Sequence, residues 1–160
     1  LDDTPFGASV CEVDLGSAAL IPDDYIPDVH TRLTLYKRLA EASEHTELQE
    51  LKVEMIDRFG LLPQPVERMF EAAELRTQAQ QLGLSRVRAG SRSITLDFGA
   101  QPKVNTARLI RLIQQQPKIY KLEGQSRLHC YGEFDVIEKR AQTAAQLLDT
   151  LQIKEAAREA

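Results

Sequence analysis

The 160-residue sequence contains no G-x-x-x-x-G-K-[ST] loop, no G-x-S-x-G elbow and no apolar run near the ~20 residues of a membrane-spanning helix. The first absence removes the backbone cradle for nucleotide phosphates, and the second removes the strained turn that exposes a nucleophilic serine. Cysteine is scarce as well, with Cys11 and Cys130 far apart in the chain. Two isolated thiols in a chain rich in other core material read as small buried hydrophobes of a reducing, cytoplasmic compartment. Zinc sites draw on clustered ligands at spacings such as C-x-x-C or H-x-x-x-H. His30, His45 and His129, taken with the two cysteines, offer no such spacing, so no metal or other cofactor is expected in this chain.

What is present is ordinary globular material, 42% apolar and 28% charged. A chain of this length buries roughly 68–70% of its unfolded surface, enough to fold without a covalent or metal staple. It begins at Leu1 in an acidic, mixed stretch unlike a secretory signal, which points to a piece of a longer protein. The formal net charge of −4 is unevenly spread. Residues 1–80 carry 16 acidic and 7 basic side chains, whereas residues 81–160 carry 8 acidic and 13 basic. Such a split suits either an electrostatic partner or two lobes that attract each other.

Ala8 to Leu15 alternates apolar and polar and reads as a strand. After the turn signal Pro22-Asp23-Asp24, Asp28 is an N-cap for a helix from Val29 to about Ala42. Its expected inner face is Val29, Leu33, Tyr36 and Ala40 beside Leu39, with Arg32, Lys37 and Arg38 pointing outward. Thr46 is the expected cap of a second helix to Phe59, with the stripe Leu48, Leu51, Met55, Ile56 and Phe59 and Gly60 at its end. Pro65 suits the first turn of a third helix that buries Val66, Met69, Phe70 and Ala73 and stops at Gly83. From there the period changes to two. Leu84 to Ala89 and Arg92 to Phe98 form a hairpin around Gly90-Ser91, and Ile119 to Leu122 and Arg127 to Tyr131 form another around Gly124. A short helix from Thr106 to Gln116, with Leu109, Ile110, Leu112 and Ile113 inward, lies between them. A last helix from Asp135 to about Gln152 carries Ile137, Ala141, Ala144, Leu148 and Leu151 on one seam. Helices and hairpins are segregated, which predicts an α+β fold. The expected arrangement is a helical first lobe over about 8–83, then a small antiparallel sheet of two hairpins flanked by helices over about 84–152, and a tail at 153–160.

Two clusters invite a chemical reading. Asp23 and Asp24 are adjacent carboxylates, but neighbours in an extended turn point apart, and Pro-Asp-Asp is ordinary turn chemistry. Nothing in the residues indicates an enzyme. Arg86, Arg88, Arg92, Lys103, Arg108, Arg111, Lys118, Lys121 and Arg127 form a basic segment against only Asp97 and Glu123. It suits either a nucleic-acid-binding accessory domain held by phosphate contacts or a solvated lobe that attracts the acidic first half. Stacking of single-stranded bases would fall to Tyr120 and Tyr131, since Phe98 belongs to a buried strand face.

Two longer stretches carry a resemblance: A-L-I-P-D-D-Y-I-P-D-V-H-T-R-L-T-L-Y-K-R-L-A at residues 19–40 and L-K-V-E-M-I-D-R-F-G-L-L-P at residues 51–63. In this order and spacing they resemble the start of the C-terminal domain of bacterial transcription-repair coupling factors, the Mfd family. The resemblance implies a single, non-catalytic, cytoplasmic regulatory domain, 1–160, of an ATP-dependent DNA translocase. In such a parent, ATP and Mg act in motor lobes upstream, and RNA polymerase and double-stranded DNA are bound there. The domain itself is expected to fold back on a UvrB-like N-terminal module and to mask the surface that recruits UvrA. On the second helix Glu47, Glu50, Glu54 and Asp57 stack at steps of three, four and three. By itself that is a solvated acidic face. The V-E-M-I-D-R-F-G match makes Glu50, Glu54, Asp57 and Arg58 the candidate partner-binding residues, with Glu54 and Asp57 at the centre.

Overall fold

The computed structural model describes residues 11–17 and 19–153. Strand β1 (Glu12–Asp14) is followed by three helices, α1 (Val29–Glu41), α2 (His45–Phe59) and α3 (Gln64–Gln81). Then come β2 (Leu84–Ala89), β3 (Ser93–Phe98), α4 (Thr106–Gln115), β4 (Tyr120–Glu123), β5 (Arg127–Tyr131) and α5 (Ile137–Leu151). The class is α+β. Residues 8–10 of the expected first strand and residues 154–160 of the expected tail lie outside the described residues.

The five strands form one sheet in the order β1-β2-β3-β5-β4. Both expected hairpins are present, with Leu96 opposite Val87 in one and Leu122 opposite Leu128 in the other. β3 joins the hairpins by pairing antiparallel with β5. The sheet is nevertheless mixed, because β1 lies parallel to β2 with Glu12 opposite Arg86 and Asp14 opposite Arg88. A parallel pair needs a long crossover, and here α1, α2 and α3 together supply it.

Alternation along the strands divides the sheet into two faces. Val87, Ala89, Ile94, Leu96, Phe98, Leu128 and Cys130 point to a core shared with Leu75 and Ala79 of α3, Leu109 of α4, and Ala144 and Leu148 of α5. A second core holds Leu35 and Leu39 of α1, Leu48, Leu51 and Met55 of α2, and Val66, Phe70 and Ala73 of α3, with Ile21 and Ile26 from the preceding loop. α3 therefore runs through both cores, its first half in one and its second half in the other.

Three local expectations are corrected. The inner face of α1 is Leu35 and Leu39, while Val29 and Leu33 stand 56% and 58% exposed. Both pairs have the i, i+4 spacing of a helical face, and the position of the partner helices selects the second. Tyr36 supports that phase from its edge, its hydroxyl accepting the Ile21 N–H at 2.7 Å. The cap of α2 is Glu44, not Thr46. The Glu47 carboxylate reaches back to accept the N–H groups of Ser43 and Glu44 at 3.0 and 3.2 Å, so the cap lies two residues earlier than expected. Ile110 is largely exposed rather than inward on α4, where Leu109 alone is fully buried. The Asp28 cap of α1 stands as expected, its carboxylate accepting from the N–H and hydroxyl of Thr31. Gly83, at φ +76°, stops the third helix, and a side chain there would meet the Gln101 carbonyl at 2.6 Å.

Candidate docking surface

α1 and α2 contribute to one core, and on its outside Arg38 of α1 meets Glu54 and Arg58 of α2. Glu54 faces α1. Both of its oxygens accept from Arg38 in the last turn of α1, each at 2.9 Å, in the planar two-bond geometry that fits guanidinium to carboxylate. Arg58, one turn further along α2, donates to the same carboxylate at 3.1 Å. Its guanidinium also sits 4.7 Å from the centre of the Phe59 ring. Hydrogen bonding from Arg38, with help from Arg58, holds the Glu54 carboxyl below the usual carboxylate range, and Glu54 in turn raises Arg38. Like charges at this spacing repel along a helix, and here two guanidinium groups flank Glu54 and offset that repulsion inside the domain.

Glu50 and Asp57 behave differently. Both are exposed, and among the described residues neither has a hydrogen-bond or ion-pair partner. Glu50 borders a hollow of about 200 Å³ with Glu41, Glu47, Leu51 and Arg38. Arg38 and Arg58 also border a second hollow of about 220 Å³ with His30, Thr31, Thr34 and Leu35. The Arg38–Glu54 contact is therefore a ridge between two shallow depressions. Sequence reasoning had Arg38 pointing outward, as it does, but missed its pairing with Glu54. Its partner is sixteen residues away on another helix, and no local pattern announces such a pairing.

The other candidate groups disperse. Asp23 and Asp24 are exposed in a turn closed by the N–H groups of Tyr25 and Ile26 on the Pro22 carbonyl, both at 3.1 Å. The nine basic residues of the 86–127 segment occupy several surfaces. Arg86 pairs with Glu12 at 3.3 Å, Arg127 with Asp97 at 2.7 Å, and Arg108 donates to the Thr150 carbonyl on α5. On the sheet face away from the helices, cross-strand neighbours run Glu12, Arg86, Asp97, Arg127, Glu123, so the signs alternate from edge to edge. Such a row neutralises itself. Tyr120 is half-buried, and exposed Tyr131 stacks on His129 with ring centres 5.7 Å apart. Among the described residues no group of three His, Cys, Asp or Glu side chains could hold a metal ion, and no helix is long and apolar enough to cross a membrane.

The molecule so described is a small α+β domain with a mixed five-stranded sheet, three helices on one sheet face and a helical lobe built on the first of them. The TRCF domain family model matches residues 15–109, and the chain belongs to that family. The chain is 43% identical over 141 residues to the transcription-repair-coupling factor of Escherichia coli (strain K12), a match covering 88% of this chain and 12% of that protein. The transcription-repair-coupling factor of Haemophilus influenzae is 38% identical over 140 residues, with the same two coverages. The chain thus spans about an eighth of the length of these curated relatives. Its fold is that of a crystal structure of the C-terminal domain of transcription-repair coupling factor, with a TM-score of 0.68 at 21% identity over 89% of this chain and 94% of that one.

Proposed function

We propose that the domain is a non-catalytic regulatory clamp in a longer coupling factor. It docks through the α1–α2 face onto a UvrB-like N-terminal module and covers the surface that recruits UvrA. The supporting observation is the pairing pattern on that face. Glu54 is held by two guanidinium groups, while Glu50 and Asp57, one turn to either side, are unpaired among the described residues. A fixed ridge flanked by unpaired carboxylates suits a partner that brings Arg or Lys side chains, because the charges need not be reorganised on docking. In the parent, ATP and Mg would serve motor lobes outside this chain, in a cytoplasmic protein that engages RNA polymerase and double-stranded DNA.

A clamp of this kind works best with modest affinity. Tethering gives an effective concentration on the order of millimolar, so a dissociation constant of about 10 μM would hold the closed form at roughly a hundred to one. The test is titration of this chain with the separated N-terminal module. Binding in the micromolar range is expected, at least tenfold weaker for the Glu54→Ala/Asp57→Ala double variant. Asp57→Ala alone leaves the Arg38 bridge intact, so a loss in that variant reports on docking and not on the bridge. Absence of binding at millimolar concentration would refute the clamp, and unchanged binding by the double variant would move the interface elsewhere.

A further inference from the structure

The sheet ends in two unlike edges. β1 turns two carboxylates, Glu12 and Asp14, to the open face, so a second β1 brought alongside would be repelled. β4 turns one charge of each sign to that face, Lys121 and Glu123, and sends Tyr120 and Leu122 to the helix-covered side. The hydrogen-bond phase of β4 follows from its register. Tyr131 N–H donates to the Ile119 carbonyl at 2.8 Å, and Lys121 and Glu123 lie opposite His129 and Arg127. Hydrogen-bonded pairs alternate with non-bonded ones in an antiparallel ladder, so the N–H and C=O of Leu122 point away from β5 to the free edge. Apolar surface accompanies them, with Leu122 43% exposed and Ile119 38%.

We infer that β4 is the edge through which two copies of this chain associate, antiparallel about a twofold axis at Leu122. In that register the two Leu122 residues exchange both backbone hydrogen bonds. Lys121 of each copy then stands opposite Glu123 of the other, at non-bonded positions where side chains approach most closely. Both ion pairs fall on the open face, and the two Leu122 side chains meet on the helix side. The charges also fix the register. A slip of two residues in either direction places Lys121 opposite Lys121 or Glu123 opposite Glu123. A lysine on a short edge strand ordinarily discourages pairing, but an opposite charge two residues on turns that guard into a self-complementary pattern.

The association is measured by sedimentation of the 160-residue chain over a range of concentrations. A concentration-dependent dimer is expected. Lys121→Glu should weaken it at least tenfold, and so should Glu123→Lys. Mixing these two variants should restore association between them, since each then meets the opposite charge at both positions. Leu122→Pro should abolish the dimer, because it removes an outward N–H while leaving the β4–β5 bonds in place. Glu123 also hydrogen-bonds His129 at 2.7 Å and lies in an ion pair with Arg127 at 3.8 Å. Should Glu123→Lys lower the melting temperature, Lys121→Glu and Leu122→Pro carry the test by themselves. A chain that stays monomeric at all concentrations would overturn the inference, and so would a dimer indifferent to Lys121→Glu and Leu122→Pro. Capture of an extended strand from another protein at β4, without self-association, would overturn it in favour of that partner.

Discussion

Truncating Leu35 and truncating Leu33 should have very different consequences, although both are leucines in the middle of α1. Leu35 is 1% exposed and joins Leu39, Leu48, Leu51 and Met55 in the helical core, whereas Leu33 is 58% exposed. Removing a buried leucine side chain costs about 2–5 kcal/mol, the lost transfer free energy plus the cavity left behind. Removing an exposed one stays within about 0.5 kcal/mol. For a chain of this size each kcal/mol moves the melting temperature by roughly 2–4 °C. Leu35→Ala should therefore lower it by roughly 4–20 °C, and Leu33→Ala by no more than about 2 °C. Urea denaturation checks the same point, with a shifted midpoint and an unchanged slope for Leu35→Ala. If Leu33→Ala proved as costly as Leu35→Ala, the rotation of α1 about its axis would be wrong. The Arg38–Glu54 contact, which depends on that rotation, would fall with it.

A double-mutant cycle on Arg38→Ala and Glu54→Ala should give a coupling of about 0.5–1 kcal/mol, the scale of a half-exposed pair screened by solvent. Because the folded-state pKa of Glu54 is lowered, chiefly by Arg38, this stabilisation is present above the unfolded carboxylate pKa and fades as pH falls through the lower folded value. Urea melts near neutral pH and again in strong acid should show the coupling vanish, and a coupling unchanged by acid would refute its ionic origin. Burial pushes the Cys11 thiol up to about 11 and raises Cys130 as well. Both thiols should therefore resist a thiol-specific reagent at neutral pH and react fully once the chain is denatured, and rapid labelling of the native protein would contradict their placement.

How much of this was legible in advance follows the range of the interaction involved. The β2–β3 and β4–β5 hairpins could be read because each is closed by a short turn, at Gly90-Ser91 and at Gly124. The α2 stripe from Leu48 to Met55 could be read from its period. The parallel seating of β1 could not, since Val13 finds Val87 across three intervening helices with no turn signal between them. The phase of α1 was ambiguous for a related reason. Val29 with Leu33 and Leu35 with Leu39 satisfy the same spacing, and only the position of α2 and α3 decides between them. At the candidate docking surface the carboxylates could be listed from sequence, but not the division of labour among them. Which carboxylate is braced and which stays free depends on Arg38, a residue of another helix.

The passage of α3 through both cores has a mechanical consequence. Val66, Phe70 and Ala73 belong to the helical lobe, and Leu75, Ala79 and Leu82 to the sheet lobe, so the chain offers no joint at the boundary where the lobes meet. Two further braces cross the same boundary. Arg68 on α3 pairs with Glu138 on α5, and the half-buried Arg76 guanidinium donates at 2.8 Å to each of the Leu39 and Ala42 carbonyls at the end of α1. A force applied to the α1–α2 face is thus delivered along a continuous rod to the underside of the sheet. The lobes should turn as one rigid body when that face is pulled, and removing the chain before Gly83 would strip the sheet of β1 and of one of its three covering helices.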